Sequence, residues 1–401
     1  HHLLSTCIHV QHHSVFFDKD LMIIKKTFKQ MCSGRRYMQL WKGKKVLLVA
    51  KYTRVERERL EHPNVTEKQL LNQLSNQGAN LKTILESHNE HYNIVKEVTT
   101  AISRLDVESK IINLKDINTA AVSWADVLIA IGGDGTFLVM SSYVQNNQTP
   151  VVGINSNPSS SLGYLCLPEI CSRNIQNTFD TLEKQNFFFI DRRRIRVSMK
   201  NTKKKMEPPI NMYQDFVKIR PDSHSSHDML ALNEVFIGDK MPGRTSEMEC
   251  KFDGNIPIKI KSSGLCISTG TGSSAWSYAL NKISVNEVRR ILNYKFCQIS
   301  EQECIKIANE YNKNLVYRPD LEYLQYTIRE PTGRSLWQSN DELIKSDKIK
   351  QAEVETHCEE GCIILDGFLI YVFPKGAQAI LTSRPEDSIK SVMINIDQKN
   401  N

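Results

Sequence analysis

At 401 residues, with 40% hydrophobic and 24% charged side chains, the chain is long enough for two or three domains of about 100–200 residues and too apolar for global disorder. Its 52 basic and 45 acidic side chains leave a net charge of +7, which favours anionic partners such as phosphates but falls short of a nucleic-acid-binding footprint. No run approaches the roughly 20 apolar residues needed to span a bilayer, and ten cysteines without a Cys-x-x-Cys pair indicate a reducing compartment rather than a disulfide scaffold.

Residues 1–43 are basic and acid-poor, with Lys25, Lys26, Lys29, Arg35 and Arg36 near their end. They read equally as a targeting segment or as an extension outside the fold. The run Lys45–Ala50 is uninterruptedly apolar after its first residue, as a buried parallel strand requires. A charged helical stretch over 54–74 and a second helix over 95–105 follow. Strands are expected at 110–114, 126–131 and 150–154, so strand and helix alternate and predict a parallel sheet covered by helices over 44–160. From 161 to 376 the pattern turns β-rich, with extended runs at 186–199, 230–238, 246–252 and 264–269. Residues 363–372 read as a hairpin about Asp366-Gly367. A polar loop at 201–229 and a helical insert at 283–314 interrupt this half.

The stretch Val127-Leu128-Ile129-Ala130-Ile131-Gly132-Gly133-Asp134-Gly135-Thr136 carries the chemistry. A buried strand ends in glycines and passes into helix-compatible residues, which aims backbone N–H groups at the sheet's carboxyl edge and makes an anion site. The glycines leave room for phosphate oxygens to reach the main chain. Asp134 is out of place in a plain phosphate cradle, because like charges repel strongly when partly desolvated. It fits if a divalent cation stands between it and the phosphates, or if it takes a proton from an attacking hydroxyl. Lys51 and Arg54, just past the first strand, either supply positive charge to a nucleotide or are solvated surface residues.

Gly132-Gly133-Asp134-Gly135-Thr136 resembles the loop shared by NAD kinases, diacylglycerol and sphingosine kinases and phosphofructokinases. Ala231-Leu232-Asn233-Glu234-Val235 and the run from Gly264 to Ser277, which includes Thr269-Gly270-Thr271-Gly272-Ser273-Ser274-Ala275, are similar to further motifs of the NAD kinases, in the same order. With Leu165-Cys166-Leu167-Pro168 the likeness is nearest to the mitochondrial NAD kinase subgroup.

The resemblance implies a Rossmann-like α/β N-terminal domain, a β-rich C-terminal domain, an active site in the cleft between them, and residues 377–401 returning to the first domain. It implies phosphorylation of the 2′-hydroxyl of the adenosine ribose of NAD by ATP with Mg²⁺, a mitochondrial location and a homodimer. No nucleic-acid or membrane partner is expected. Asp134 becomes the general base, and Gly132, Gly133, Gly135 and Thr136, with Lys51 and Arg54, surround ATP. NAD falls to Asn233, Glu234, Tyr164, Thr269, Thr271, Ser274 and Ala275. Two residues depart from the bacterial and cytosolic pattern: Gly270 stands where proline is usual, and Ser263 where an aspartate contacts the dinucleotide. Asp366-Gly367 matches an Asp-Gly of the family near the end of the β-rich part; its simplest explanation is a type I′ turn, and it is not counted among the site residues. The rival readings are a lipid kinase sharing the loop and a non-catalytic dinucleotide-binding protein.

Overall fold

Strand Lys44–Ala50 is buried from Val46 onward because helices cover both its faces. The computed structural model describes residues 39–200, 210–211, 229–241, 243–294, 300–332 and 344–394, all within one compact unit. The expected N-terminal extension (apart from 39–43), most of the polar loop 201–229, residues 295–299 of the insert and the end of the chain from 395 lie outside the described residues.

The first sheet has six strands in the order Val107–Asn113, Lys44–Ala50, Val127–Gly132, Pro150–Asn155, Ile389–Ile394 and Phe187–Arg192. Neighbours are parallel except at the final pair, which is antiparallel. The helical stretch expected over 54–74 is two helices, Arg54–Glu61 and Glu67–Asn76. Each opens on its own capping box, Thr53 with Glu56 and Thr66 with Gln69, and Pro63 between them cannot continue a helix. Helix Leu81–Ile102 starts well before the expected 95; its buried residues His91, Ile94, Val98, Ala101 and Ile102 recur at helical spacing. Ile94, Val98, Ala101 and Ile102 form one core with Val46, Leu48, Val127 and Ile129.

The change of sheet comes later than residue 160. The extended run 186–199 is two strands, Phe187–Arg192 in the first sheet and Ile195–Lys200 in the second, broken at Arg193-Arg194. The Arg193 N–H donates to the Pro319 carbonyl at 2.9 Å, which diverts the chain. Buried Arg194 donates to the carbonyls of Ser141 (3.2 Å) and Val144 (2.9 Å), at the C-terminal end of helix Asp134–Ser142, and to that of Asp387. The guanidinium thus adds a donor where the helix's last carbonyls run short of intrahelical partners.

Beyond this point lie two antiparallel sheets. One runs Ile258–Ser262, Ser246–Phe252, Gln351–Thr356, Gln378–Ser383, Ile195–Lys200, Met229–Ala231. The other runs Ser346–Ile349, Leu324–Arg329, Gly264–Ser268, Glu234–Asp239, Gly361–Leu365, Leu369–Val372, Ile210–Asn211. Their alternating buried residues meet in a core that continues into Phe137, Val139 and Leu165 beside the first sheet. The insert holds helices Val285–Asn293 and Glu301–Asn314, joined over Val288, Cys304 and Ala308. No helix among the described residues is long and apolar enough to cross a membrane.

Candidate active site

Strand Val127–Gly132 is buried throughout and delivers Gly133 as the N-cap of helix Asp134–Ser142 at the sheet's carboxyl edge. A Cβ on Gly132 would fall 2.1 Å from Thr136 Oγ1. That glycine therefore makes room for the buried Thr136 side chain, a different reason from the phosphate approach expected. At Gly133 the nearest atom to a Cβ would be Ser161 Oγ at 3.9 Å, so the surface there is open. Gly135 sits part-exposed in the helix's first turn.

Asp134 is part-buried, and both its oxygens are held by main-chain donors: Oδ1 accepts from Leu165 N at 2.8 Å and Oδ2 from Tyr164 N at 3.1 Å. Burial raises its pKa, against the two N–H groups and the charge of buried Arg192. A carboxyl so raised is a better base than a free aspartate. Tyr164, expected on the NAD side, contributes its backbone N–H to Asp134. Cys166 Sγ donates to the Gly132 carbonyl at 3.8 Å, and burial holds its thiol well above the ordinary range.

Several residues here were not singled out in the sequence. Asn155, at the end of its strand, donates to Ser161 O at 2.8 Å and accepts from Ser161 Oγ and Asn157 N, both at 3.1 Å. Asn157 reaches Ser87 Oγ (2.5 Å) and Ser159 reaches Glu90 (2.8 Å), so the loop after the fourth strand is tied to helix Leu81–Ile102. The signal was present in Asn155-Ser156-Asn157-Pro158, a turn cluster directly after a buried strand.

Lys51 follows strand Lys44–Ala50, with its N–H on the Ile131 carbonyl at 2.9 Å, and Arg54 opens the next helix. Lys51 is part-buried, and burial lowers its pKa, with Arg57 adding to the effect and Glu90 opposing it. Beside it, burial and the Lys51 charge hold His91 at about 4. Arg54 opens its helix, largely exposed, with Nε 3.5 Å from Glu58.

The second group of residues assembles on strand Glu234–Asp239 and the loop after strand Gly264–Ser268. Asn233 and Glu234 are both buried, and Asn233 Oδ1 and Glu234 Oε2 have no hydrogen-bond partner among the described residues. Thr269 grips this segment: its N–H donates to Asn233 O (2.9 Å) and its hydroxyl to Leu232 O (2.6 Å). Buried Thr271 Oγ1 is likewise unpartnered. Ser274 and Ala275 follow, part-exposed, with Ser274 Oγ on Thr271 O at 3.4 Å and Ala275 N on Gly272 O at 2.9 Å. A Cβ on Gly272 would stand 2.1 Å from Asn233 O. Gly272→Ala is accordingly expected to push Asn233 aside and to raise about tenfold, in initial-rate kinetics, the KM for the dinucleotide that the resemblance assigns to Asn233, leaving the KM for the other substrate little changed.

Burial and the Asp366 carboxylate push Glu234 up to about 8. Folded Glu234 thus keeps a proton that the unfolded chain releases near its ordinary 4.5, so the folded state loses stability as pH rises from about 4.5 to 8. In a series of thermal midpoints against pH, Glu234→Gln is expected to flatten that decline.

Both departures from the family pattern have a local cause. A Cβ on Gly270 would lie 2.0 Å from the Arg318 carbonyl, so the segment following the insert occupies the space a proline needs. Ser263 Oγ donates to Glu330 Oε2 at 2.6 Å, which brings a carboxylate back beside the position that lacks one.

An acid braced by main-chain amides at a glycine turn, over a parallel sheet, marks the nucleotide-binding class of α/β proteins; unpartnered buried oxygens on a second, β-rich part provide for a polar ligand. The family model for the ATP-NAD kinase N-terminal domain matches residues 46–187. The chain is 30% identical over 376 residues to "NAD kinase 2, mitochondrial" of Homo sapiens, covering 87% of this chain and 84% of that protein. It is 28% identical over 390 residues to the Xenopus tropicalis protein of the same name, covering 87% and 90%. Yeast NADH kinase, solved in complex with NADH, shares the fold with a TM-score of 0.50 at 13% identity, over 88% of this chain and 84% of that one. This chain belongs to the NAD kinase family.

Proposed function

We propose that this protein phosphorylates the 2′-hydroxyl of the adenosine ribose of NAD with ATP, releasing NADP and ADP. The observation that carries the reading is the Asp134 carboxylate, held at 2.8 and 3.1 Å by Leu165 and Tyr164 N–H groups and raised in pKa by burial. In this reading Asp134 accepts the proton of the attacking hydroxyl as it closes on the γ-phosphorus, and the bond to the ADP oxygen breaks. The N–H groups of helix Asp134–Ser142, with Gly133 and Thr136, receive phosphate oxygens, and Lys51 adds positive charge. Arg54, engaged with Glu58, serves at most the periphery of ATP.

On the NAD side, Asn233 Oδ1, Glu234 Oε2 and Thr271 Oγ1 are polar atoms awaiting partners, which suits ribose and amide groups rather than acyl chains. Thr269 fixes Asn233, and Ser274 and Ala275 offer a small-residue surface for a flat base. One carboxylate with lone pairs to spare fits Mg²⁺, which binds through one or two carboxylates plus phosphates and water. Asp134 would hold it, and bound Mg²⁺ supplies charge neutralisation at the phosphates.

The same reading divides the chain into an α/β domain of residues 44–192 completed by 389–394, and a β-rich domain between them, with the site in the cleft. It includes a homodimer. The kinship with mitochondrial relatives places the protein in mitochondria. A phosphotransfer assay offering NAD, NADH and a diacylglycerol side by side, with ATP and Mg²⁺, tests the function. NADP formation is the expected result. Lipid phosphorylation without NADP would favour the lipid kinase, and NAD binding without turnover the non-catalytic binder.

A further inference from the structure

Asp366 accepts three main-chain hydrogen bonds and is not used by the reaction. Its Oδ2 accepts from Leu232 N at 2.8 Å, and its Oδ1 accepts from Asn233 N at 2.7 Å and Glu234 N at 3.2 Å. Its own N–H donates to the Glu234 carbonyl at 2.9 Å. The turn does not require an acid at this position. Asp366 and Gly367 have φ values of +50° and +75°, and the Phe368 N–H closes on Leu365 O at 3.1 Å, a type I′ geometry that Asn-Gly serves equally well. A buried carboxylate is costly, and here it stands beside a second acid, Glu234. Three consecutive N–H groups are what offset that cost.

We propose that Asp366 is a positioning residue for the dinucleotide: it locks the main chain of Leu232–Glu234 so that the buried, unpartnered oxygens of Asn233 and Glu234 are already in place when NAD arrives. Thr269 secures the same segment from the other side through the Asn233 and Leu232 carbonyls. With its backbone satisfied on both sides, the segment leaves only side-chain atoms for a ligand. The titratable groups around the clamp are Glu234, the Arg194 guanidinium and, next to Glu234, the Cys266 thiol, which burial keeps protonated. Asp366, carrying three N–H bonds, keeps the negative charge, and the proton resides on Glu234.

The inference rests on the proposed NAD kinase activity, and the two fail differently. Wild-type protein that makes no NADP removes the activity. If wild type turns over, the decisive comparison is Asp366→Asn, which keeps the turn and the volume but leaves one oxygen for three donors. Its KM for NAD is expected to rise about tenfold or more while kcat and the KM for ATP stay within about threefold. An unchanged KM for NAD, or an equal loss in every parameter, overturns the proposal. Gly367→Ala strains the same turn without touching the carboxylate, so it should lower the thermal midpoint and leave the KM for NAD within about twofold. A KM rise matching that of Asp366→Asn would assign the effect to the turn and overturn the proposal. Should Asp366→Asn not fold, amide exchange in the wild-type protein decides. The N–H groups of Leu232, Asn233 and Glu234 are expected to be protected before NAD is added; exchange at the solvent rate until NAD binds contradicts a preformed clamp.

Discussion

Replacing Asp134 by asparagine is expected to lower kcat by about 10²–10⁴-fold while the Kd for NAD stays within a few-fold, because the variant keeps the shape and loses the base. The carboxamide has one carbonyl oxygen for two N–H donors, Tyr164 and Leu165, so one of them faces an NH₂ group. That mismatch costs about 1–3 kcal/mol of stability, which a modest fall in thermal midpoint reports separately from the rate. Activity in the wild type depends on the ionised form. Since burial raises the Asp134 pKa, kcat is expected to fall on acidification at a pH above the ordinary aspartate range, and a pH–rate profile checks this. Turnover by Asp134→Asn close to the wild-type rate would remove the base from the mechanism.

The second large effect concerns stability. Arg196 meets Asp387 with both ends of its guanidinium, Nε to Oδ2 at 2.8 Å and Nη2 to Oδ1. The Asp387 side chain is only 4% exposed, so Arg196→Met leaves a buried charge without a partner. Such a break costs about 3–5 kcal/mol, a large part of the 5–15 kcal/mol that holds a typical fold. The expected result in urea denaturation is a clear drop in midpoint. The double variant Arg196→Met, Asp387→Asn should recover much of it, because the unpaired charge is then gone. The damage should be felt at the first sheet, since only Ser388 separates Asp387 from strand Ile389–Ile394. A midpoint unchanged by Arg196→Met would mean the pair is worth no more than an exposed one.

Much of the site was legible before any coordinates. Gly132 to Thr136 stand at a strand-to-helix turn, and the apolar run before them could only be a buried strand. Asn233 and Glu234 were legible only through their flanking motifs, and that both are buried came from the fold. Asp366 was assigned to its turn, correctly as to backbone, but its carboxylate reaches residues more than 130 positions away. No periodicity links such positions. The glycine at 132 was explained by phosphate approach, yet the atom that needs its space belongs to Thr136, four residues on. Ser263 read as a missing carboxylate, and nothing in the sequence paired it with Glu330.

The elements themselves follow from the chain alone. Buried parallel strands, capped helices and the Asp-Gly turn arise from local sterics, from the alternation of apolar residues and from hydrogen bonds that close within a few residues. Where the boundary between sheets falls was a tertiary matter: 186–199 is extended throughout, and only the hydrogen bonds of Arg193 and Arg194 to Pro319, Ser141, Val144 and Asp387 divide it. The insertion of Ile389–Ile394 between Pro150–Asn155 and Phe187–Arg192 was equally invisible to pattern, since a strand's sequence records that it is buried and not which neighbour it pairs with. The charge states of Asp134, Glu234 and Asp366 also belong to the folded molecule. An acid's proton affinity is set by the water it has lost and the donors brought to it, and folding alone supplies both.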